Sequence, residues 1–274
     1  MALGPFSSGP GPTRVIGVSS GKGGVGKSSV TVNVAVALAG AGHSVAILDA
    51  DVYGFSVPAM LGLVGTPETS AGLTMSDGKV QPPTAFGVRV MSMGFFANED
   101  QPVIWRGPML HKALEQFLGD VDWGSPDFLL VDMPPGTGDV ALSMSQYLPA
   151  SEVYVVTTPQ VAAKRVAQRS AYMARKLNLP LRGVIENMSW FSAPDGSRYE
   201  IFGNGGGAQL AEELGVPLLG QVPLVAAVRQ GGDSGQPIVV TEPASEAAEA
   251  FKSIARQIVE LGRGRIFREE LRIK

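Results

Sequence analysis

Cysteine is absent from this 274-residue chain. Without a thiol it can form no disulfide, offer no thiolate nucleophile, and hold neither zinc nor an iron–sulfur centre through its own sulfur. Histidine is almost as scarce, with His43 and His111 the two present, too few for a His-rich metal site. Charged residues make up 17% of the chain and balance to a net −3, which excludes the basic footprint of a dedicated nucleic-acid binder. Long apolar runs are missing too. The most apolar stretch, Val30–Leu48, is broken by Asn33 and by Gly40-Ala41-Gly42-His43-Ser44. It reads as a helix followed by a strand, not as a bilayer span of about 20 residues. No charged segment with an apolar core behind it opens the chain, so no secretory signal is read. The expectation is a soluble cytoplasmic protein that binds neither nucleic acid nor membrane.

What the chain does hold is material for a core. Apolar residues form 45% of it, and its length suits one large domain. Glycine, at 35 residues, stands well above the usual share of about 7%. Without a collagen period, that excess points to tight turns and to backbone approaching a ligand closely. Residues 1–13 (MALGPFSSGPGPT) have no apolar period and are expected to be a tail or linker. Residues 14–274 are expected to form a single domain.

From Arg14 onward, short β-branched runs alternate with segments of helical spacing. The runs are Arg14–Ser19, Ser44–Leu48, Val88–Met93, Asp127–Val131, Val153–Thr157 and Leu181–Ile185. The clearest helices are Ser28–Ala41, Gln160–Leu177, Ala208–Leu214 and Ala244–Leu261, and in the second of them Val166, Ser170, Met173 and Leu177 line one face. Nearly all-apolar strands are expected where helices cover both faces of a parallel sheet. Strand–helix alternation over this length therefore predicts an α/β fold, a doubly wound, mostly parallel sheet flanked by helices. In such sheets ligands bind beyond the carboxyl ends of the strands, so the residues just after each strand matter most.

After the first strand comes Gly21-Lys22-Gly23-Gly24-Val25-Gly26-Lys27-Ser28, which matches the phosphate-loop pattern G-x-x-x-x-G-K-[ST]. The glycines let successive amides turn inward as an anion nest, and the following helix aims its positive end at the phosphates. Gly21 through Ser29 are therefore taken as nucleotide contacts. Lys27 is placed to reach the β- and γ-phosphates, and the Ser28 hydroxyl to ligate Mg²⁺. The additional Lys22 makes the loop resemble the deviant Walker A motif of the MinD, ParA and nitrogenase-iron-protein class. That resemblance implies a nucleotide-sandwich dimer in which Lys22 reaches the partner's phosphates and acts as an arginine finger would.

Two further strands end in acids. The second strand ends in Leu48-Asp49-Ala50-Asp51, whose aspartates point to one side of an extended chain. Asp51 is assigned to the attacking water and the metal shell, and Asp49 to a supporting role. The run Phe128-Leu129-Leu130-Val131-Asp132 has the form of a Walker B strand that presents Asp132 to the metal. It continues as Met133-Pro134-Pro135-Gly136-Thr137-Gly138, stiff and then permissive, as a nucleotide-sensing switch requires. The Gly136 amide is placed to bond a γ-phosphate and to lose that bond on hydrolysis. Lys22, Lys27 and Asp51 are thus the expected catalytic set, and Ser28, Asp51 and Asp132 the expected metal ligands.

Several segments go beyond this general class. Asp49-Ala-Asp-Val-Tyr-Gly-Phe-Ser56, Trp105-Arg-Gly-Pro-Met109, Asp132-Met-Pro-Pro-Gly-Thr-Gly-Asp139, Glu186-Asn-Met-Ser189 and Ile201-Phe-Gly-Asn-Gly-Gly-Gly207 resemble the Mrp/ApbC family of P-loop ATPases. The resemblance runs from Arg14 to about Glu242. It implies a homodimer that binds and slowly hydrolyses ATP with Mg²⁺, and that carries iron–sulfur clusters to apoprotein clients. It also implies that Asn187 contacts the adenine, with Pro223 and Arg229 along the base. One departure is chemical. Many family members have a C-x-x-C motif after Glu-Asn-Met-Ser, whereas this chain reads Trp190-Phe-Ser-Ala-Pro-Asp-Gly-Ser197. Ser192 and Asp195 cannot replace soft thiolates at comparable affinity, so a cluster would need thiols from a partner. Phe55, where many relatives have proline, is a minor change. Relatives also often have a small domain ahead of the ATPase, where this chain has its Pro/Gly-rich segment.

The final segment, Gly262–Lys274 (GRGRIFREELRIK), mixes five basic residues with two acids and four large apolar side chains. It reads as a solvated or packed terminal helix; an amphipathic membrane anchor is the alternative, and Glu269 and Glu270 dilute the positive face that one needs. A positioning switch of the MinD/ParA kind, in which ATP gates assembly on a partner, stays open as the alternative to cluster delivery. A nucleotide-dependent ligase or kinase would need an acceptor pocket, and the sequence marks none.

Overall fold

In the computed structural model, the described residues are 6, 13–52, 54–65, 73–96, 107–136, 138–193 and 195–264. The first unit runs from β1 (Arg14–Ser20) through α1 (Lys27–Gly40) to β2 (Val45–Asp49) and the short α2 (Val57–Met60). A small hairpin, β3 (Met75–Ser76) with β4 (Lys79–Val80), precedes β5 (Thr84–Ala85) and β6 (Val88–Ser92), and a 3₁₀ turn covers Met93–Phe96. The chain continues with α3 (Gly107–Asp120), β7 (Phe128–Asp132), α4 (Gly138–Tyr147), β8 (Glu152–Thr157) and α5 (Val161–Lys176). Next come β9 (Leu181–Glu186), the hairpin β10 (Phe191–Ser192) and β11 (Arg198–Tyr199), α6 (Gly206–Leu214) and β12 (Leu218–Gln221). The helices α7 (Ala226–Ser234), α8 (Ile238–Thr241) and α9 (Glu246–Glu260) complete the described chain.

Eight strands form one sheet in the order β12-β9-β8-β1-β7-β2-β6-β5, parallel throughout except for β5, which pairs antiparallel with β6. The doubly wound, mostly parallel sheet expected from the sequence is the observed architecture. Successive side chains of a strand alternate between the two faces, and so two cores form. Ile16, Val18, Leu130, Tyr154 and Val156 pack with Val30, Val34 and Leu38 of α1 and with Phe251, Ile254 and Ile258 of α9. Val15, Leu129, Val131, Val153 and Val155 pack on the other face with side chains of α3, α4, α5 and α6.

The buried face of α5 differs from the expectation. Ala163, Ala167, Ala171 and Ala174 lie against the sheet, while Met173 is 42% exposed. Small side chains at every turn let this helix approach the strands closely, whereas the expected face is displaced by about one residue and borders a small cavity beside the phosphate loop. The helix α3 was not anticipated, although Leu110, Leu114, Phe117 and Leu118 give it a regular buried stripe. Phe6, inside the segment expected to be a tail, is buried and meets Trp123 edge-on at 6.2 Å between ring centroids. Tyr53, Trp105, Arg106, Thr137, Pro194 and residues 265–274 of the terminal segment lie outside the described residues. Among the described residues, no helix is long and apolar enough to cross a membrane.

At the amino ends of the strands, buried charges join the sheet to α9. Arg14 pairs with Glu152, donates to the Ile258 carbonyl, and donates to the Tyr154 hydroxyl at 2.8 Å. Glu152 also faces Arg182 at 3.2 Å and accepts from the Gly264 amide. Burial, and after it the charge of Glu152, raises the Tyr154 phenol above its ordinary value, so the hydroxyl stays neutral. Removing one partner of such a buried pair leaves an uncompensated charge. Glu152→Ala is expected to lower the unfolding free energy by about 3–5 kcal/mol in a urea titration. A midpoint equal to that of the wild type would mean that this cluster holds nothing together.

Candidate functional site

The carboxyl ends of β1, β2, β6, β7, β8 and β9 open on one rim of the sheet. The chain leaves β1 at Ser20, turns through Gly21–Gly26, and enters α1 at Lys27. Gly26, the residue before the helix, has φ 76°, a left-handed conformation that favours glycine, and a Cβ there would collide with the Asn187 amide. Val25 is buried and fixes the loop to the core, while Gly23 and Gly24 stay exposed above it. The result is a curl of main-chain amides over the positive end of a helix, which attracts an anion.

Strand register assembles the charged groups under this loop. Asp49 of β2 lies beside Asp132 of β7, and Ser92 of β6 lies on the other side of Asp49. The Lys27 ammonium donates to Asp132 Oδ2 at 2.6 Å and stands 3.3 Å from Asp51 Oδ2. Ser28 Oγ donates to the same Asp132 oxygen at 2.6 Å, and Thr31 Oγ1 donates to Asp132 Oδ1 at 2.7 Å. Asp49 accepts from the Asp51 amide at 3.2 Å and from Ser92 Oγ at 3.0 Å. Oxygen donors from Ser28, Asp51 and Asp132 match the chemistry that hard Mg²⁺ prefers. Among the described residues, no group of three or more His, Asp and Glu is arranged to hold a metal ion. Such a sparse set fits Mg²⁺ held jointly with substrate phosphates, and not a dedicated protein cage.

The other expected residues divide into two groups. Asn187, buried at the end of β9, donates from Nδ2 to the Val25 carbonyl at 2.9 Å and so touches the phosphate loop directly. Pro223 is buried just past β12, whereas Arg229 is 67% exposed on α7 and paired with Asp233. Lys22 donates to Gln160 Oε1 at 3.2 Å, within its own chain. The Gly136 amide donates to the Ser20 carbonyl at 3.0 Å, which ties the switch segment to the exit of β1. Ser29 is the third residue of α1 and its carbonyl accepts from Asn33 Nδ2. Three participants were missed: Thr31, Ser92 and Gln160. Thr31 was legible, one helical turn after Lys27. Ser92 and Gln160 owe their places to strand order, which local pattern does not reveal.

Within the segment 190–197, Phe191 and Ser192 form β10, which pairs antiparallel with β11 just beyond the segment. Ser192 Oγ donates to Glu246 at 2.9 Å. The Asp195 carboxylate accepts from the Ser197 amide at 2.9 Å, and that bond holds it below its ordinary pKa. Neither side chain supplies the soft sulfur that an iron–sulfur cluster takes.

A family model described as ParA, NUBPL iron-transfer P-loop NTPase, matches residues 12–259. The chain is 48% identical over 257 residues to a protein of Mycobacterium bovis named iron-sulfur cluster carrier protein, covering 92% of this chain and 66% of that relative. It thus spans just under two thirds of that relative's length. It is 46% identical over 252 residues to the iron-sulfur cluster transfer protein NUBPL of Mus musculus, covering 91% of this chain and 77% of the mouse protein. Among solved structures, it is similar to a nucleotide-binding protein of Archaeoglobus fulgidus in complex with ADP. That match has a TM-score of 0.72 and 34% identity, and covers 87% of this chain and 91% of the other. MinD of Pyrococcus horikoshii, complexed with Mg-ADP, shares the fold at a TM-score of 0.66 and 23% identity, covering 91% of this chain and 97% of that one.

Asp49 makes the site sensitive to pH. Burial first, and the charge of Asp132 second, push its carboxyl from an ordinary 3.8 up to about 8. The folded state therefore holds a proton there that the unfolded chain releases. The associated stability is complete below the unfolded value near 4 and is lost as pH rises through about 8. Asp49→Asn mimics the protonated acid and should remove this dependence. Comparing urea midpoints of the nucleotide-free wild type and Asp49→Asn from pH 5 to pH 9 tests it: the variant's advantage should grow with pH. A constant difference would refute the assignment.

Proposed function

Because this chain belongs to the ParA family of NUBPL iron-transfer P-loop NTPases, we propose that it is a homodimeric, Mg-ATP-dependent switch serving the delivery of iron–sulfur clusters to apoproteins. The observation that carries this reading is the group of Lys27, Ser28, Asp51 and Asp132 beneath the amide nest at the start of α1. The family match and the ADP-bound relative from Archaeoglobus fulgidus support a nucleotide there.

In this reading the amides of Gly21–Ser29 hold the phosphates, and Lys27 exchanges its carboxylate partners for phosphate oxygens. Ser28, Asp132 and Asp51 would hold Mg²⁺, which supplies charge neutralisation on the phosphates when bound. Asp51 orients the attacking water. Lys22 leaves Gln160 and meets the partner's phosphates, adding positive charge where the transition state spreads negative charge. The Gly136 amide leaves Ser20 for the γ-phosphate and returns after hydrolysis to ADP and phosphate, which links nucleotide state to the segment that follows β7. Asn187 and Pro223 receive the base, and Arg229 joins them by giving up Asp233.

The cluster enters as cargo. No thiolate exists on this chain, so the client or an assembly protein supplies the sulfur ligands while the nucleotide state of this chain governs the encounter.

Calorimetry with Mg-ATP is expected to give saturable binding that Lys27→Ala abolishes. Lys22→Ala should keep nucleotide affinity and lower turnover by about 10²–10³-fold, the usual cost of removing one preorganised group that stabilises developing charge. Undiminished turnover in Lys22→Ala would defeat the cross-dimer role. Anaerobic reconstitution of the isolated chain with iron and sulfide should leave no visible charge-transfer absorbance. A stoichiometric cluster would overturn the assignment of its ligands to partners.

A further inference from the structure

Glu186 ends β9 with a fully buried carboxylate, and among the described residues no cation pairs with it. Such a charge needs several donors around it. Ser189 Oγ donates to Oε1 at 2.9 Å, Gln221 Nε2 donates to Oε1 at 2.6 Å, and the Gly207 amide donates to Oε2 at 2.5 Å. The Gly207 amide lies in the first turn of α6, whose positive end faces the carboxylate. One side chain thereby joins three segments: the turn after β9, the start of α6 and the end of β12.

The contacts of the glycines in Gly203-Asn-Gly-Gly-Gly207 show what they are for. A Cβ on Gly206 would overlap the Pro159 carbonyl, and one on Gly207 would lie 2.7 Å from Glu186 Cβ. These glycines let α6 press its first turn against Glu186. The turn held from the other side is Asn187-Met188-Ser189. Met188 has φ 57°, unusual for a residue with a side chain, and the Glu186–Ser189 bond closes the turn around it. Its backbone is fixed as well. Asn187 N donates to Thr157 O at 2.8 Å, and Ser189 N donates to Val222 O at 2.9 Å.

We propose that Glu186 is a positioning residue for base recognition: its buried carboxylate sets the Asn187 amide, and so the preference for adenine, without touching the nucleotide. This rests on the reading that Asn187 faces the base.

The test compares Mg-ATP, Mg-GTP and Mg-tripolyphosphate, which has no base, by calorimetry on the full chain. Glu186→Ala removes the carboxylate, and Gly207→Ala keeps it but forces it aside, so the second variant carries the test if the first does not fold. Each should weaken ATP about tenfold, the scale of one lost hydrogen bond to a charged group. The margin of ATP over GTP should narrow, with tripolyphosphate affinity unchanged. A purely structural role would lower ATP and tripolyphosphate affinity in step, and that result overturns the proposal, as does unchanged ATP affinity in both variants. A wild type that binds tripolyphosphate but no base-bearing nucleotide more tightly would overturn the Asn187 reading beneath it.

Discussion

A buried ammonium among carboxylates is the constraint around which this molecule is arranged. Lys27 opens α1, and its charge is matched by Asp132 at the end of β7 and by Asp51 just past the end of β2. An unmatched ion at that depth would cost several kcal/mol, so helix and strands have to come together in one geometry. The two-faced sheet provides it. Alternating apolar residues seat helices on both sides, and parallel register brings Asp49, Asp132 and Ser92 to a common level beneath the helix.

How much of this could be read from residues alone follows from the range of each interaction. The phosphate loop is local: strand, glycines and helix occupy consecutive residues, and chemistry at each position identifies them. Strand-end acids are nearly local too, since an apolar run ending in aspartate says which end of the sheet it serves. Which acid stands beside which is different. Asp49 and Asp132 are neighbours because β2 lies next to β7, and nothing in either segment encodes that pairing. The network of Glu186 was hidden for the same reason, since two of its three donors come from α6 and from β12.

The buried face of α5 was misread for another cause. Alanine contributes little to an apolar pattern, yet Ala163, Ala167, Ala171 and Ala174 are the residues that meet the sheet. Large residues dominate a periodicity argument, and close packing sometimes selects the small ones. Phe6 shows the converse, a single aromatic side chain that packs into the core from a segment without any regular pattern.

The charge cluster at the opposite rim has a mechanical meaning. Arg14, Glu152 and Arg182 bind the beginnings of β1, β8 and β9 to the end of α9. Its amino edge is thereby held by the buried pair of Arg14 and Glu152, as its carboxyl edge is held by Lys27 and its carboxylates, so the sheet is tied to a helix at both ends of its strands.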